Sequence, residues 1–102
     1  MKTRTTSLLL LAWLLSSQAL AADAAAGKSK AVSCVGCHGM TGISANPLWP
    51  NLAGQQEAYL VKQMQAFKSG ERKDVNMNAL MTPLSESDMA DIAAYFASQS
   101  CK

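Results

Sequence analysis

The chain has 102 residues, of which 49% are hydrophobic and 16% are charged, and this length accommodates one domain at most. A chain this short excludes a large enzyme whose active-site cleft lies between two domains. The formal net charge is only +2, so the composition also excludes nucleic-acid binding through a strongly basic surface.

The N-terminal segment has the three parts of a secretory signal peptide. Lys2 and Arg4 precede an apolar run over residues 8–15, and Ala19 and Ala21 place small side chains at both positions that a signal peptidase recognises. The apolar run is shorter than the roughly 20 residues that a membrane-spanning helix needs. We therefore expect cleavage after Ala21, export to the periplasm and no stable membrane insertion afterwards.

Removal of residues 1–21 from the 102-residue chain leaves a mature domain of 81 residues, 22–102, with seven basic and seven acidic side chains. A core of that size rarely nets more than about 3–5 kcal/mol of stability. We therefore expect disulfides, a metal, a covalent cofactor or a partner chain to stabilise the domain. The three cysteines allow only one disulfide, so the cysteine count points beyond disulfides.

The first half of the mature domain predicts two helices joined by a loop. The Ala-rich segment 22–35 favours a first helix of modest strength. Segment 39–51 contains two glycines and two prolines and therefore predicts a loop. In segment 55–69 apolar residues recur at steps of three and four, which predicts an amphipathic helix that stops at Gly70. The apolar stripe of this helix consists of Leu60, Val61, Met64 and Phe67.

The second half predicts a further loop and a last helix. Segment 71–83 is charged and then Asn-rich, without a sustained period, and predicts a loop. Ser85 and Asp88 form a capping-box pattern with Asp in place of Glu, which predicts the start of the last helix. The apolar stripe of that helix consists of Met89, Ile92, Ala93 and Phe96. No segment of the mature part alternates as a strand does, so the predicted fold class is all-α.

Cys34, Cys37 and His38 form the motif C-x-x-C-H, which is typical of the covalent attachment of a c-type haem. Two thiols separated by two residues lie along one edge of a helical turn. There they can add to the two vinyl groups of a haem and form thioethers, which places His38 beneath the iron. One covalent haem c would supply the apolar mass that so short a chain lacks.

Three other uses of these residues have weaker support. A Cys34–Cys37 disulfide is a short, often strained ring and leaves His38 unexplained. A thioredoxin-like dithiol needs a βαβ setting, which the sequence does not predict. A zinc site formed by the motif and Cys101 has acceptable ligand types. However, it requires two adjacent residues to bind one tetrahedral ion, and its fourth ligand comes from the chain terminus.

The mature chain resembles the class I cytochromes c, in particular the small bacterial domains found singly and as the two halves of di-haem cytochromes of the c-four type. The resemblance rests first on the haem motif, which Gly39 follows, and on a Met-containing loop. It also rests on three further segments: Pro50-Asn51-Leu52-Ala53-Gly54-Gln55, Phe67-Lys68-Ser69-Gly70-Glu71-Arg72, and Leu84-Ser85, which opens a helix that ends Ala94-Tyr95-Phe96. It covers essentially all of residues 22–102. It implies a small cytochrome c fold, with three to four helices around one covalently bound haem, whose terminal helices cross near Gly27 and Tyr95-Phe96.

The resemblance also implies the remaining site residues. The second axial ligand is a methionine sulfur from the segment before the last helix. Met77 matches the implied placement better than Met81, which suits packing against the haem ring. Pro50 is the implied source of a carbonyl that fixes the orientation of the His38 ring. Trp49 is expected in the haem pocket, either as a wall or through its indole N–H.

A His/Met pair leaves no open position on the iron and raises its potential. The expected function is therefore that of a periplasmic mono-haem carrier of single electrons, without enzymatic activity. Expected partners are redox proteins such as a membrane cytochrome complex, a terminal oxidase or a periplasmic reductase, reached through a small, transient contact. The alternative is a haem-based ligand-binding or sensor protein in which Met77 is absent from the iron or displaced.

Cys101 has no role in haem attachment. An odd cysteine in an oxidising compartment indicates an intermolecular disulfide or a reactive thiol. A disulfide-linked dimer through Cys101 is therefore a further hypothesis.

Overall fold

The computed structural model of the chain describes residues 21–101. This range contains no strand and five helices: α1 (Ala24–Lys30), α2 (Val32–His38), α3 (Glu57–Ser69), α4 (Val75–Met81) and α5 (Glu86–Ala97). The predicted all-α fold class is confirmed. None of these helices combines the length and the apolarity that a bilayer crossing requires. The predicted signal peptide lies outside the described residues, except for Ala21.

The single helix expected over residues 22–35 is present as two helices that meet at Ala31. The Ala31 backbone leaves the helical region, with φ −81° and ψ 6°. The Cys34 N–H then donates to the Ala31 carbonyl, only three residues back, at 2.8 Å. Helical structure resumes and continues to His38, beyond the expected end. As a result, α1 packs mainly against α5, while α2 carries the C-x-x-C-H motif.

Helix α4 lies within segment 71–83, for which the sequence predicted a loop, and that prediction is wrong. The Asp74 carboxylate caps the helix by accepting the N–H groups of Asn76 and Met77, at 3.0 and 2.9 Å. A helix of seven residues is too short to show a sustained apolar period in the sequence. Its N-cap and the packing of Met77, Leu80 and Met81 in or against the core stabilise it. The resemblance implied three to four helices. Because of the break at Ala31 and of α4, the described residues contain five.

Helix α3 ends and helix α5 begins where the sequence predicted. Gly70 follows α3 with φ +80°, in the left-handed region that favours glycine at a helix C-terminus. At the start of α5, the Ser85 hydroxyl accepts the Asp88 N–H and the Asp88 carboxylate accepts the Ser85 N–H, both at 3.0 Å. The capping box with Asp in place of Glu is therefore confirmed.

The hydrophobic core lies where α3 and α5 pack together and is closed by residues of α4 and of the α1–α2 junction. Its buried members are Ala31, Leu60, Met64, Phe67, Met81, Met89, Ile92, Ala93, Tyr95 and Phe96. The predicted stripe of α5 is buried completely. In α3 the stripe is confirmed for three of its four members, because Val61 is only partly buried.

Helix α1 crosses α5 at Gly27, as the family resemblance implied. A Cβ atom at this position would lie 1.9 Å from the Asp91 carbonyl oxygen and 3.0 Å from the Tyr95 Cβ. Real Cβ atoms do not approach backbone atoms so closely, so only glycine lets the two helices meet at this distance. The terminal helices are therefore joined backbone against backbone.

Charged groups close the same crossing. Asp91 is buried, with 8% exposure, and accepts the Asp23 N–H at 2.8 Å and the Lys30 ammonium at 2.7 Å. Lys30 also lies 3.0 Å from the Asp88 carboxylate. The Ser85 N–H and then Lys30 lower the pKa of Asp88 to about 2. The Asp23 N–H and then Lys30 likewise lower the pKa of Asp91.

Candidate functional site

A largely apolar cavity of about 420 Å³ opens beside the core, within the size range of small-molecule and cofactor sites. Its wall is built from α2, the loop that precedes α3, α3, α4 and one side of α5. All six site residues that the sequence indicated line this cavity: Cys34, Cys37, His38, Trp49, Pro50 and Met77. Cys101 does not line it.

The two motif cysteines lie about one turn apart on α2, and both line the cavity. They are free thiols, so the alternative of a Cys34–Cys37 disulfide has no support. Burial raises the pKa of the Cys34 thiol.

The zinc alternative also has no support in the described part of the chain. There, no three His, Cys, Asp or Glu side chains are grouped in a way that could hold a metal ion. Cys101, which would supply the fourth ligand, is exposed and lies outside the cavity wall.

His38 is buried, with 7% exposure, and its ring orientation is fixed from one side. Its Nδ1 lies 2.8 Å from the Pro50 carbonyl oxygen. A carbonyl only accepts hydrogen bonds, so this contact requires the proton on Nδ1 and leaves the lone pair of a neutral ring on Nε2. His38 is therefore held in the tautomer that binds a metal through Nε2.

Trp49 lines the cavity and is 42% exposed. Leu48 and Tyr59, which also line the cavity, are 85% and 48% exposed. These three side chains form an apolar rim where the cavity meets the surface. A wall position for Trp49 agrees with this arrangement, whereas a hydrogen bond from its indole N–H stays a prediction.

The methionines of the described residues differ in whether their side chains line the cavity. Met40 and Met89 do not line the cavity, while Met64, Met77 and Met81 do. Met64 and Met81 belong to the core, with 8% and 2% exposure. Met77 is only half-buried and packs at the edge of that core.

Asn78 fixes the helix that carries Met77. Its side-chain amide donates to the Phe67 carbonyl at 2.7 Å and to the Arg72 carbonyl at 2.8 Å. These bonds tether α4 to the C-terminal end of α3.

Sequence reasoning missed several cavity residues, among them Leu48 and Tyr59, and it favoured a solvated surface charge for Arg72, which also lines the cavity. The Arg72 guanidinium lies 4.6 Å from the centre of the Phe67 ring and donates to the Gln63 side chain at 2.8 Å. Arg72 is thus a bound rather than a freely solvated charge. Its signal in the sequence was weak, because nothing local pairs an arginine with an aromatic ring five residues earlier.

The cavity is mostly apolar, and it brings together two thiols one helical turn apart and an imidazole whose Nε2 is free for a metal. This arrangement defines a protein that holds a haem covalently. The family model for cytochrome c matches residues 24–100, and the chain belongs to the cytochrome c family. It binds one covalent haem c, at its one C-x-x-C-H motif.

Curated relatives support the same conclusion. The chain is 57% identical over 79 residues to cytochrome c4 of Pseudomonas aeruginosa, an alignment that covers 78% of this chain and 39% of that protein. It is 51% identical over 83 residues to cytochrome c-554(548) of Halomonas halodenitrificans, which covers 78% of this chain and 99% of that protein. The chain therefore spans about two fifths of the first relative and nearly all of the second.

A solved structure shows the same fold. Reduced recombinant cytochrome c4 from Pseudomonas stutzeri aligns with a TM-score of 0.75 at 46% identity, covering 78% of this chain and 47% of that chain. The sequence-based assignment to class I c-type cytochromes of the c4 type is thus confirmed.

Proposed function

We propose that this protein is a periplasmic mono-haem cytochrome that passes single electrons between redox proteins and has no enzymatic activity of its own. Cys34 and Cys37 hold the haem through thioethers, and His38 and Met77 are the axial ligands of its iron. The haem supplies a one-electron Fe(III)/Fe(II) couple. The observation that carries the proposal is the 2.8 Å contact between His38 Nδ1 and the Pro50 carbonyl, on the cavity wall that also holds both thiols.

The case for Met77 rests on its partial burial. A ligating sulfur must turn toward the cavity, and the half-buried Met77 lines the cavity without being enclosed by the core. Met81, by contrast, is 2% exposed, and Met64 is part of the stripe by which α3 enters the core. Packing accounts fully for those two methionines.

The carrier is favoured over the sensor by how firmly α4 is held. The Asp74 carboxylate bonds the Met77 N–H at 2.9 Å, and the Asn78 side chain ties the next residue of α4 to α3. A ligand on a capped and tethered helix keeps its geometry when the iron changes charge, which suits electron transfer. A sensor needs this ligand to leave easily.

The apolar rim of Leu48, Trp49 and Tyr59 supports a partner contact at the cavity mouth. Such a contact between redox proteins is transient and small, below about 1,200 Å². The partner class is a redox protein, such as a membrane cytochrome complex, a terminal oxidase or a periplasmic reductase. A relative from Thiomonas intermedia, 38% identical over 74 residues, is named a thiosulfate dehydrogenase electron acceptor, which supports the accepting half of this role.

Periplasmic location rests on the signal peptide predicted for residues 1–21. Mass spectrometry of the exported holoprotein tests both location and haem attachment. We expect a polypeptide that starts at Ala22 and carries the added mass of one haem. A chain that retains residues 1–21, or that carries no haem, contradicts the proposal.

Two spectroscopic measurements test the ligands. Met77→Ala is expected to abolish the weak near-infrared sulfur–iron band of the oxidised protein, while Met81→Ala, the matched control on the same helix, keeps it. The reduced wild-type protein is expected not to bind carbon monoxide. Loss of the band only in Met81→Ala would move the ligand to Met81, and rapid carbon monoxide binding by the wild type would favour the sensor.

A further inference from the structure

The loop between α2 and α3 contains a closed ring of hydrogen bonds. His38 Nδ1 donates to the Pro50 carbonyl at 2.8 Å, and the Ser44 N–H donates to Asn51 Oδ1 at 2.7 Å. The Ser44 hydroxyl lies 3.1 Å from the Cys37 carbonyl oxygen and shares its one proton between that oxygen and the Asn46 carbonyl oxygen, at 2.9 Å. Because Cys37 is bonded to His38 and Pro50 to Asn51, the three hydrogen bonds and these two peptide links close a ring.

We propose that Ser44 and Asn51 are positioning residues for the axial imidazole and thereby adjust the potential of the iron. This inference rests on the proposed function, since it assumes that His38 binds the haem iron. The Ser44 hydroxyl ties the loop to the Cys37 carbonyl near the end of α2. The side chain of Asn51, the residue that follows Pro50, bonds to the Ser44 N–H. Together they keep the Pro50 carbonyl pointed at His38 Nδ1.

Pro50 needs such support because of its own chemistry. A proline has no N–H, so Pro50 itself cannot hold this part of the loop by donating a hydrogen bond. Pro50 and Asn51 are also both exposed, so core packing does not hold them. The Asn51 side chain is therefore the nearest tether that can orient the Pro50 carbonyl, and Ser44 provides its anchor.

The Ser44 hydroxyl also organises the turn that follows it. It lies 2.9 Å from the Asn46 carbonyl oxygen and accepts the Asn46 N–H at 3.1 Å. A hydroxyl has one proton and two lone pairs, so this group bridges α2 and the loop from a single point. Removing it takes away the ring contact with Cys37, while the Ser44 N–H keeps its bond to Asn51.

The expected effect on the iron follows from the hydrogen bond that the ring supports. An Nδ1–H bonded to a carbonyl makes the imidazole a stronger donor, and a stronger donor stabilises the oxidised iron. Weakening that bond is therefore expected to raise the midpoint potential of the haem. It also opens the Nδ1 proton to exchange with water.

The test compares holoprotein variants at the two positions. Asn51→Ala and Ser44→Ala remove one ring bond each, and Ser44→Thr keeps the hydroxyl as a rescue. Asn46→Ala is the matched control, because Asn46 Oδ1 accepts the Leu48 N–H at 2.9 Å in the same loop but outside the ring. The readouts are the midpoint potential and, by proton NMR of the reduced form, exchange of the His38 Nδ1 proton.

We expect the two ring variants to raise the potential and to speed this exchange by about two- to tenfold, the factor that corresponds to the loss of one hydrogen bond. Ser44→Thr and Asn46→Ala are expected to match the wild type. Unchanged ring variants, or an equal shift in Asn46→Ala, would overturn the inference while leaving the proposed function intact. If the proposed function itself is wrong, the wild-type protein will carry no histidine-ligated haem, and this result is distinct from an unchanged potential in the variants.

Discussion

The α1–α5 crossing and the cavity wall use their residues in opposite ways. At the crossing the chain bonds to itself: Gly27 meets the Asp91 backbone, and Lys30 pairs with two carboxylates. On the cavity wall, Cys34, Cys37 and Met77 line about 420 Å³ that the chain leaves open. The first region is stabilised by internal contacts, and the second is built to serve the haem.

Because of this difference, substitutions in the two regions should affect different measured properties. Substitutions at the crossing should lower the free energy of unfolding and leave the haem spectrum unchanged. Substitutions on the cavity wall should alter the haem first and stability as a consequence. The following predictions test the two sides of this separation and, last, a residue that lies outside both regions.

The largest effect is expected from the double variant Cys34→Ala/Cys37→Ala. Without thioethers the chain loses its covalent haem, and with it the apolar mass that fills the cavity of about 420 Å³. An empty cavity of that size costs on the order of 10 kcal/mol, which exceeds the about 3–5 kcal/mol that so small a core supplies at best, so the chain should not stay folded. Mass spectrometry and far-ultraviolet circular dichroism measure the two losses. Cys101→Ser is the control, since Cys101 lies outside the cavity wall. A helical, cooperatively folded double variant would show that the crossing and the core suffice alone.

Gly27→Ala should have the next largest effect. Its Cβ would lie 1.9 Å from the Asp91 carbonyl oxygen, so the two helix backbones must separate, at a cost of about 2–3 kcal/mol. Denaturant unfolding of the holoprotein measures this loss, with the haem spectrum expected to stay native.

Gly36→Ala is the matched control for Gly27→Ala. No atom lies within 4 Å of a Cβ built at position 36. Alanine there should therefore be neutral or stabilise α2 by about 0.5–1 kcal/mol through helix propensity. Equal destabilisation by both substitutions would refute a close crossing as the reason for Gly27.

Acid should weaken the crossing through Asp88 and Asp91. Their pKa values are lowered in the folded chain, that of Asp88 to about 2, from an ordinary value of 3.8. Their contribution to stability is thus full above the ordinary pKa and is lost as the pH falls toward the folded pKa. Unfolding free energies between about pH 5 and about pH 2 should therefore fall more steeply in the wild type than in Lys30→Met.

Lys28→Met is the control for that titration. Lys28 lies on the same helix, and no ion pair joins it to any residue within 21–101. Its variant should follow the wild-type pH profile. A Lys30→Met profile as steep as the wild type would show that Lys30 does not contribute to the lowered pKa values.

The smallest effect on the fold is expected at Cys101, which belongs to neither region. Cys101 is an exposed free thiol, so Cys101→Ser should change the free energy of unfolding by no more than about 0.5 kcal/mol. The predicted disulfide-linked dimer should appear on non-reducing electrophoresis and vanish in this variant. A wild-type band at monomer mass alone would remove the dimer hypothesis.

Features with a strong local signal were predictable from the sequence. The Gly70 stop, the capping box of Ser85 and Asp88, and the apolar stripe of α5 each depend on residues close together in the chain. The C-x-x-C-H motif is local for the same reason, since one helical turn sets its geometry. These predictions needed no knowledge of tertiary structure.

Features that depend on distant contacts were not predictable. Helix α4 escaped prediction because its tether joins Asn78 to carbonyls six and eleven residues away. The break at Ala31 escaped it because alanine favours a continuous helix. Ser44 and Asn51 carried a weak signal, as polar side chains in a Gly- and Pro-rich loop that often bond to the backbone, but their ring needs the folded loop to be visible.

The attachment of α4 has a consequence for partial unfolding. This helix packs mainly on α3; Met81 inserts into the core at one end, and Asn78 makes polar bonds nearer the other. Opening this helix by itself would require the core contact and the polar bonds to be released together. We therefore expect amide hydrogen exchange of the holoprotein to show α4 exchanging together with α3, rather than opening as a separate unit.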